Sequence, residues 1–245
     1  MKIISPHKSY NFQIRSFDVD YSSYLTIPSL MHYFQEAAWE HAKANHFGYE
    51  FMQEQGVAWV LSKVLIRLEK YPVWKDEIIV KTWPKEMKGF LALRDFEVRR
   101  KDRLMATATS VWLIVDMKSK RPRKLSMVDF EPDEFHQADA IAEKLTKVPL
   151  LQSLQKLSEF QVKYSDLDVN MHVNNATYIR WILDTVPYER FKLSRVKELE
   201  VNYPGELKGG EDVAVYKSIK GVEELYSIHS LTQDKEVCRV RLLWE

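Results

Sequence analysis

The chain has 245 residues, 45% of them hydrophobic, with seven glycines and nine prolines, a composition that buries one large core or two modest ones and excludes a disordered or fibrous chain. Its 36 lysines and arginines nearly cancel 35 acidic residues, so no global field favours nucleic acid or an anionic membrane, and a charged partner must be met by a local patch. The single cysteine, Cys238, excludes an internal disulfide, and no Cys/His cluster has zinc-ligand spacing. The N-terminal Met1–Lys8 has neither a signal-peptide apolar core nor transit-peptide character, and no stretch approaches transmembrane length. A cytoplasmic, reducing setting is expected.

Along the chain, Pro28 stands where the first turn of a helix tolerates proline, and the segment from Ser29 to about Ala44 carries Leu30, Tyr33, Phe34, Ala37, Ala38 and Trp39 on a broad apolar face. Gly48 is the expected stop. Four strand-like runs follow at Trp59–Leu68, Glu77–Trp83, Phe90–Arg100 and Leu104–Val115. From about Met117 to Glu159 the periodicity breaks, with prolines at 122, 132 and 149, which reads as a crossing segment. A second helix is expected over Ala176–Val186, too apolar all round for a surface helix and ending before Pro187. Four more strand-like runs complete the chain at Val196–Tyr203, Asp212–Lys220, Glu224–Leu231 and Glu236–Trp244.

Helix then four strands, twice, points to duplication. Sliding the chain on itself lays Asp18-Val19-Asp20 on Asp166-Leu167-Asp168, Tyr24 on His172, Tyr33 on Trp181 and Glu36 on Asp184. Further on, with a shorter offset, Lys101-Asp102-Arg103 meets Gln233-Asp234-Lys235 and Trp112 meets Trp244. A period of this length is a repeated domain, not a solenoid. The expected division is a first unit over 1–130, a crossing segment over 131–158 and a second unit over 159–245.

The copies differ where chemistry would sit. Asp168, Asn170 and His172 alternate just ahead of the second helix, so an extended approach puts them on one side, whereas Ser22 and Tyr24 occupy the aligned positions of the first copy. Asn174 or Asn175 is a natural N-cap, and unpaired backbone N–H groups of Val173, Asn174 and Asn175 are candidate oxyanion donors. A carboxylate, an amide and an imidazole beside a helix terminus are the parts of a hydrolytic or acyl-transfer site. Taken singly, Asp168 reads equally as a turn residue and His172 as a structural histidine.

The run from Asp166-Leu167-Asp168 through Asn170-Met171-His172-Val173-Asn174-Asn175 to Tyr178-Ile179-Arg180-Trp181 closely resembles the signature of the acyl-[acyl carrier protein] thioesterases of plants and bacteria. That resemblance implies an α+β tandem hot-dog fold, each unit an antiparallel sheet wrapped around a central helix, with the sheets forming one continuous surface. It implies an enzyme that hydrolyses fatty acyl-carrier-protein thioesters, releasing free fatty acid and terminating elongation. Asp168, Asn170 and His172 match the family's catalytic Asp, Asn and His, and its Glu falls at Glu206 in Tyr203-Pro204-Gly205-Glu206-Leu207. Pro204 and Gly205 replace basic residues of plant members, which leaves Glu200 and Glu211 as alternatives. Whether Asp168 or Glu206 activates a water or attacks the thioester directly stays open.

Further expectations rest on the same resemblance. The family's N-terminal unit holds the acyl chain, which makes Tyr33, Phe34 and Trp39 candidate pocket residues as well as plain core. Plant members have a cysteine where this chain has Leu207; Cys238 lies instead on the last strand, in line with Val240 and Leu242, and reads as a buried apolar residue. Lys118, Lys120, Arg121, Arg123 and Lys124 form a basic cluster suited to an acidic carrier protein, and Lys124-Leu125-Ser126 echoes a basic turn of plant members. Arg99, Arg100 and Arg103 are further basic candidates. No phosphate loop, dinucleotide fingerprint or His-Glu-x-x-His motif is present, and His32, His41 and His46 follow no ligand spacing, so no cofactor or metal is expected. The expected partner is acyl carrier protein bearing a fatty acyl group, with no nucleic acid and no membrane insertion, for a monomer or homodimer. Rival readings are an acyl-coenzyme A thioesterase and a non-catalytic acyl-binding hot-dog protein.

Overall fold

The computed structural model describes residues 7–125, 139–220 and 223–245. Pro132, Ser126 and part of the expected crossing segment therefore lie outside the described residues. The chain divides into two compact units, Met1–Val64 with Leu68–Lys144 and Leu65–Arg67 with Leu145–Glu245.

The first unit contains β1 (Lys8–Gln13), α1 (Ile27–Ala44), α2 (Tyr49–Glu54), β2 (Val57–Leu68), β3 (Glu77–Lys88), β4 (Leu91–Arg100), β5 (Arg103–Asp116) and the two-residue β6 (Pro122–Arg123). Its antiparallel sheet runs in the order β1-β3-β4-β5-β2, with β6 paired to β5. The Thr26 hydroxyl accepts from the Ser29 N–H at the start of α1, and Ile27, Leu30, Met31, Phe34, Ala37, Ala38 and His41 repeat at helical spacing on the buried face. Gly48 does not stop this helix. His46 takes the left-handed conformation at φ 64° and the Phe47 N–H closes on the Ala42 carbonyl at 2.8 Å, while Gly48 becomes the N-cap of α2. β1 was not visible in the sequence because this edge strand buries little, alternating exposed polar residues with half-buried Tyr10 and Phe12.

A buried carboxylate holds the returning chain against this unit. Asp95, fully enclosed on β4, accepts from the Thr109 hydroxyl at 2.6 Å and the Ala140 N–H at 2.8 Å, with Lys85 Nζ 3.5 Å away. Burial pushes its carboxyl above the usual range despite these partners.

The second unit contains β7 (Gln155–Gln161), a 3-10 turn (Tyr164–Asp166), α3 (Asn175–Leu183), α4 (Tyr188–Leu193), β8 (Val196–Asn202), β9 (Asp212–Lys220), β10 (Glu223–Ser230) and β11 (Lys235–Trp244). Its strands run β8-β11-β10-β9-β7, all antiparallel. α3 ends three residues short of expectation, because the Thr185 hydroxyl and the Val186 N–H turn back onto the Ile182 and Leu183 carbonyls. Tyr178, Ile179 and Ile182 are wholly enclosed, as are Leu199, Val201, Val240 and Leu242 of the sheet. Burying each such aliphatic side chain contributes about 1.5–3 kcal/mol. Each unit is thus an antiparallel sheet with one long helix, which buries one face in α1 and nearly all of its surface in α3.

Candidate active site

The site begins in the loop between β7 and α3. The Asp168 N–H donates to the His172 carbonyl at 2.8 Å and the Met171 N–H to the Asp168 carbonyl at 3.0 Å, with Met171 left-handed at φ 62°. Asp168 Oδ1 accepts from the N–H groups of Asn170 (2.8 Å) and His172 (3.3 Å), so the carboxylate braces the turn from inside. Asp166, buried, takes the Lys163 N–H at 2.8 Å and Arg180 Nη2 of α3 at 2.6 Å, tying the loop to the helix. The reversal lays His172 alongside Lys208.

His172 Nε2 then lies 3.5 Å from Glu206 Oε2, with side-chain exposures of 22% and 45%. A partly enclosed imidazole against a solvent-reaching carboxylate can pass a proton directly or through one water. Gln233 Nε2 donates to the Glu206 carbonyl at 3.2 Å and steadies its backbone. The rival carboxylates are committed elsewhere. Glu200 is buried against Arg241 Nη2 at 2.8 Å, and Glu211 accepts from the Lys208 N–H, the Ser230 hydroxyl and Gln233. Asn170 is exposed, its backbone N–H held by Asp168 Oδ1 and its side chain making no hydrogen bond among the described residues.

At the helix start the Asn174 side chain accepts from the Ala176 N–H at 2.9 Å. Two of the three expected oxyanion donors need correction. The Val173 N–H donates to the Leu207 carbonyl at 2.9 Å and the Asn174 N–H to the Asp166 carbonyl at 3.0 Å, so neither can meet a developing charge. Asn175, first residue of α3, keeps an N–H without a partner among the described residues.

The candidate acyl-pocket residues do not share a direction. Phe34 is buried and packs on Phe96 with ring centroids 4.6 Å apart. Tyr33 turns outward to Asp18 Oδ2 at 2.7 Å, and Trp39 is exposed beside Tyr49. Only Phe34 of the three is on the buried face, since helix rotation separates the others from it. In the basic cluster Lys118, Lys120, Arg121 and Lys124 are exposed, while Arg123 Nη2 is held by Asp116 at 2.6 Å. Cys238 is fully buried, and desolvation pushes its thiol well above the usual range, which suppresses thiolate chemistry. No group of three or more His, Cys, Asp or Glu that could hold a metal occurs among the described residues.

The first unit repeats this loop without the imidazole–carboxylate pair. Asp20 Oδ1 accepts from the Ser22 and Tyr24 N–H groups at 2.8 and 3.0 Å, as Asp168 does for Asn170 and His172. Tyr24 lies alongside Val73 as His172 does alongside Lys208, and the Leu25 N–H donates to the Pro72 carbonyl as the Val173 N–H does to Leu207. Tyr71 thereby stands in the place of Glu206, and Tyr24 meets Tyr71 edge to face at 6.2 Å where the second unit has its imidazole–carboxylate pair.

Comparison with known proteins accounts for both units. The acyl-ACP thioesterase N-terminal domain matches residues 7–129 and the acyl-ACP thioesterase C-terminal domain matches residues 152–245. The chain belongs to the acyl-ACP thioesterase family. A chloroplastic acyl-[acyl-carrier-protein] hydrolase of Cuphea viscosissima is 30% identical over 218 residues, 81% of this chain and 51% of that protein. A chloroplastic palmitoyl-acyl carrier protein thioesterase of Arabidopsis thaliana is 32% identical over 210 residues, 79% of this chain and 50% of that protein. The chain therefore spans about half the length of these curated relatives. Among solved structures, an acyl-ACP thioesterase from Bacteroides thetaiotaomicron superposes with a TM-score of 0.90 at 27% identity, covering 98% of both chains. A 12:0-ACP thioesterase from Umbellularia californica gives 0.80 at 25% identity, again covering 98% of both. The α+β hot-dog architecture expected for this acyl-ACP thioesterase family member is the one found. No helix among the described residues is long and apolar enough to cross a membrane.

Proposed function

We propose that this chain hydrolyses fatty acyl-[acyl carrier protein] thioesters, releasing free fatty acid and ending chain elongation. The observation that carries the reading is the His172–Glu206 pair at 3.5 Å, in the unit that matches the thioesterase C-terminal domain, with His172 three residues ahead of the first residue of α3. Glu206 takes a proton from a water as the water oxygen bonds to the thioester carbonyl carbon. The Asn175 N–H donates to the resulting oxyanion, a contact whose loss in other enzymes costs about 2.7–4 kcal/mol. The C–S bond then breaks, a proton is delivered to the sulfur by way of His172, and a carboxylic acid and a thiol leave. Asp168 shapes the loop, as its Oδ1 contacts indicate, and the exposed Asn170 amide meets the substrate from outside.

Phe34, on the buried face of α1, is the residue we assign to the acyl-chain wall. Lys118, Lys120, Arg121 and Lys124 are assigned to docking of the acidic carrier protein, with Arg123 holding the turn through Asp116. A reducing compartment, the cytoplasm, suits a chain whose one cysteine is a buried free thiol.

The test is thiol release from matched panels of acyl-carrier-protein and acyl-coenzyme A thioesters at equal concentration. Preference for the carrier protein is expected. Preference for coenzyme A esters would move the substrate class, and acyl binding without cleavage of either would replace the hydrolase with a carrier or sensor.

A further inference from the structure

Two buried tyrosines join α3 to the Glu206 segment, one from each side. The Tyr178 hydroxyl, on the helix, accepts from the Leu207 N–H at 3.1 Å. The Tyr203 hydroxyl, at the end of β8, donates to the Asn175 carbonyl at 3.0 Å. Their rings meet edge to face at 5.7 Å, and Tyr178 and Tyr203 are 2% and 9% exposed. One bond fixes the peptide next to Glu206; the other fixes Asn175, the residue whose N–H the proposed mechanism gives to the oxyanion.

A structural need would explain such bonds if buried groups demanded them, since a buried Leu207 N–H requires an acceptor and a buried phenol requires a partner. The first unit shows that the same loop closes without either. By the correspondences that place Tyr24 on His172 and Pro72 on Leu207, Tyr178 corresponds to Leu30 and Tyr203 to Leu68, both buried aliphatics. Proline has no N–H and leucine no hydroxyl, so donor and acceptor are absent together. They are present together where His172 and Glu206 stand in place of Tyr24 and Tyr71. The hydrogen bonds track the chemistry, not the fold.

We infer that Tyr178 and Tyr203 are positioning residues for the hydrolysis, Tyr178 setting Glu206 through the Leu207 amide and Tyr203 setting the Asn175 donor. This rests on the proposed function of the site. A carboxylate on an exposed segment needs its backbone fixed, because a misplacement of about 1 Å at a reacting group costs on the order of 100-fold in rate.

The experiment compares kcat, KM and melting temperature of the full chain for wild type, Tyr178→Phe, Tyr203→Phe, Glu206→Gln, and Tyr178→Phe combined with Glu206→Gln, on the best-cleaved acyl-carrier-protein thioester. Tyr178→Phe should lower kcat about 10- to 100-fold with KM little changed at temperatures where it is fully folded. In the Glu206→Gln background the same substitution should add little, because the residue it acts through is already lost. A second pair, Tyr178→Leu with and without Leu207→Pro, installs the first unit's own solution: the proline should restore stability and leave kcat low. Full kcat in Tyr178→Phe with a lowered melting temperature, or an undiminished effect in the Glu206→Gln background, would overturn the inference. Wild-type turnover by Glu206→Gln would instead overturn the site assignment itself and the inference with it, whereas an inactive Glu206→Gln beside a fully active Tyr178→Phe sinks the inference alone.

Discussion

Replacing Glu206 by glutamine and Asp168 by asparagine should separate a carboxylate that moves a proton from one that holds a loop. Glu206 is 45% exposed and 3.5 Å from His172. A pair so open to solvent contributes about 0–1 kcal/mol to stability, which in a chain of this size is a melting shift of no more than about 4 °C. The rate should respond quite differently. Loss of a general base costs about 10²- to 10⁴-fold, a barrier increase of roughly 2.7–5.5 kcal/mol. Glu206→Gln is therefore expected to melt nearly as wild type and to turn over at no more than about 1% of its rate.

Asp168→Asn keeps an amide oxygen where Oδ1 now accepts from the Asn170 and His172 N–H groups, so the turn survives and kcat should fall by less than about tenfold. Asp168→Ala removes the acceptor from both donors, each bond contributing about 1 kcal/mol, and should release the loop and cost more activity than the asparagine. Asp20→Asn, the same change in the loop without a histidine, is the control and should leave kcat unaltered. The assay is thiol release under saturating substrate, with melting followed by circular dichroism. If Asp168→Asn loses as much rate as Glu206→Gln while melting normally, Asp168 takes the proton and the assignment is refuted.

Cys238→Ala should remain active, because the thiol is enclosed and held protonated by desolvation; an inactive but folded variant would restore a thiol mechanism. Changing Lys118, Lys120, Arg121 and Lys124 together to alanine should raise KM for carrier-protein substrates and weaken its salt dependence, with coenzyme A esters unaffected; equal effects on both substrates would remove this surface from docking. Asp95 has a carboxyl pushed up mainly by burial, so its contribution to stability is fully present below the unfolded value of about 3.9 and is lost as pH rises through the higher folded value. Asp95→Asn does not titrate, so wild type should lose ground to it in urea midpoints as pH rises above about 4; the opposite trend would mean that Thr109, Ala140 and Lys85 outweigh burial.

What could be read from sequence was what is local. The Asp-x-Asp spacing exposed the duplicated loop because Asp20 and Asp168 bond to N–H groups two and four residues on. Helix periodicity located α1 to within two residues at its start, and eight of the strands showed themselves by alternation or by β-branched and aromatic enrichment. What failed depended on partners distant in sequence or on weak burial. The Val173 and Asn174 N–H groups looked free because Leu207 and Asp166, which accept them, are not recognisable as partners from the sequence. The hydroxyl of Tyr178 reaches a residue 29 positions on, so the side chain read as plain core. Tyr33 and Trp39 were grouped with Phe34 by hydrophobicity, although helix rotation points them toward Asp18 and Tyr49. β7 begins inside the segment taken as irregular, and the short α4 is wholly without buried residues.

The duplicated loop narrows which atoms can account for catalysis. Both units have an outer aspartate, Asp18 or Asp166, that receives the N–H of Arg15 or Lys163, and an inner one, Asp20 or Asp168, that braces the turn. Carboxylates that do the same bonding in both places cannot by themselves make one of them a site. Besides Ser22 against Asn170, the differences that bear on the pair are the replacement of two exposed or half-exposed tyrosines by His172 and Glu206, and of Leu30, Leu68 and Pro72 by Tyr178, Tyr203 and Leu207 around them. In the proposed mechanism the first set supplies the groups that exchange a proton. The second supplies hydrogen bonds aimed at the backbone that carries them, which is the arrangement required when an exposed carboxylate must act from a fixed position. A transplant of both sets into the first unit should therefore approach a functional geometry more closely than His and Glu alone, and the distance between the introduced imidazole and carboxylate, measured crystallographically in the two transplants, would decide it.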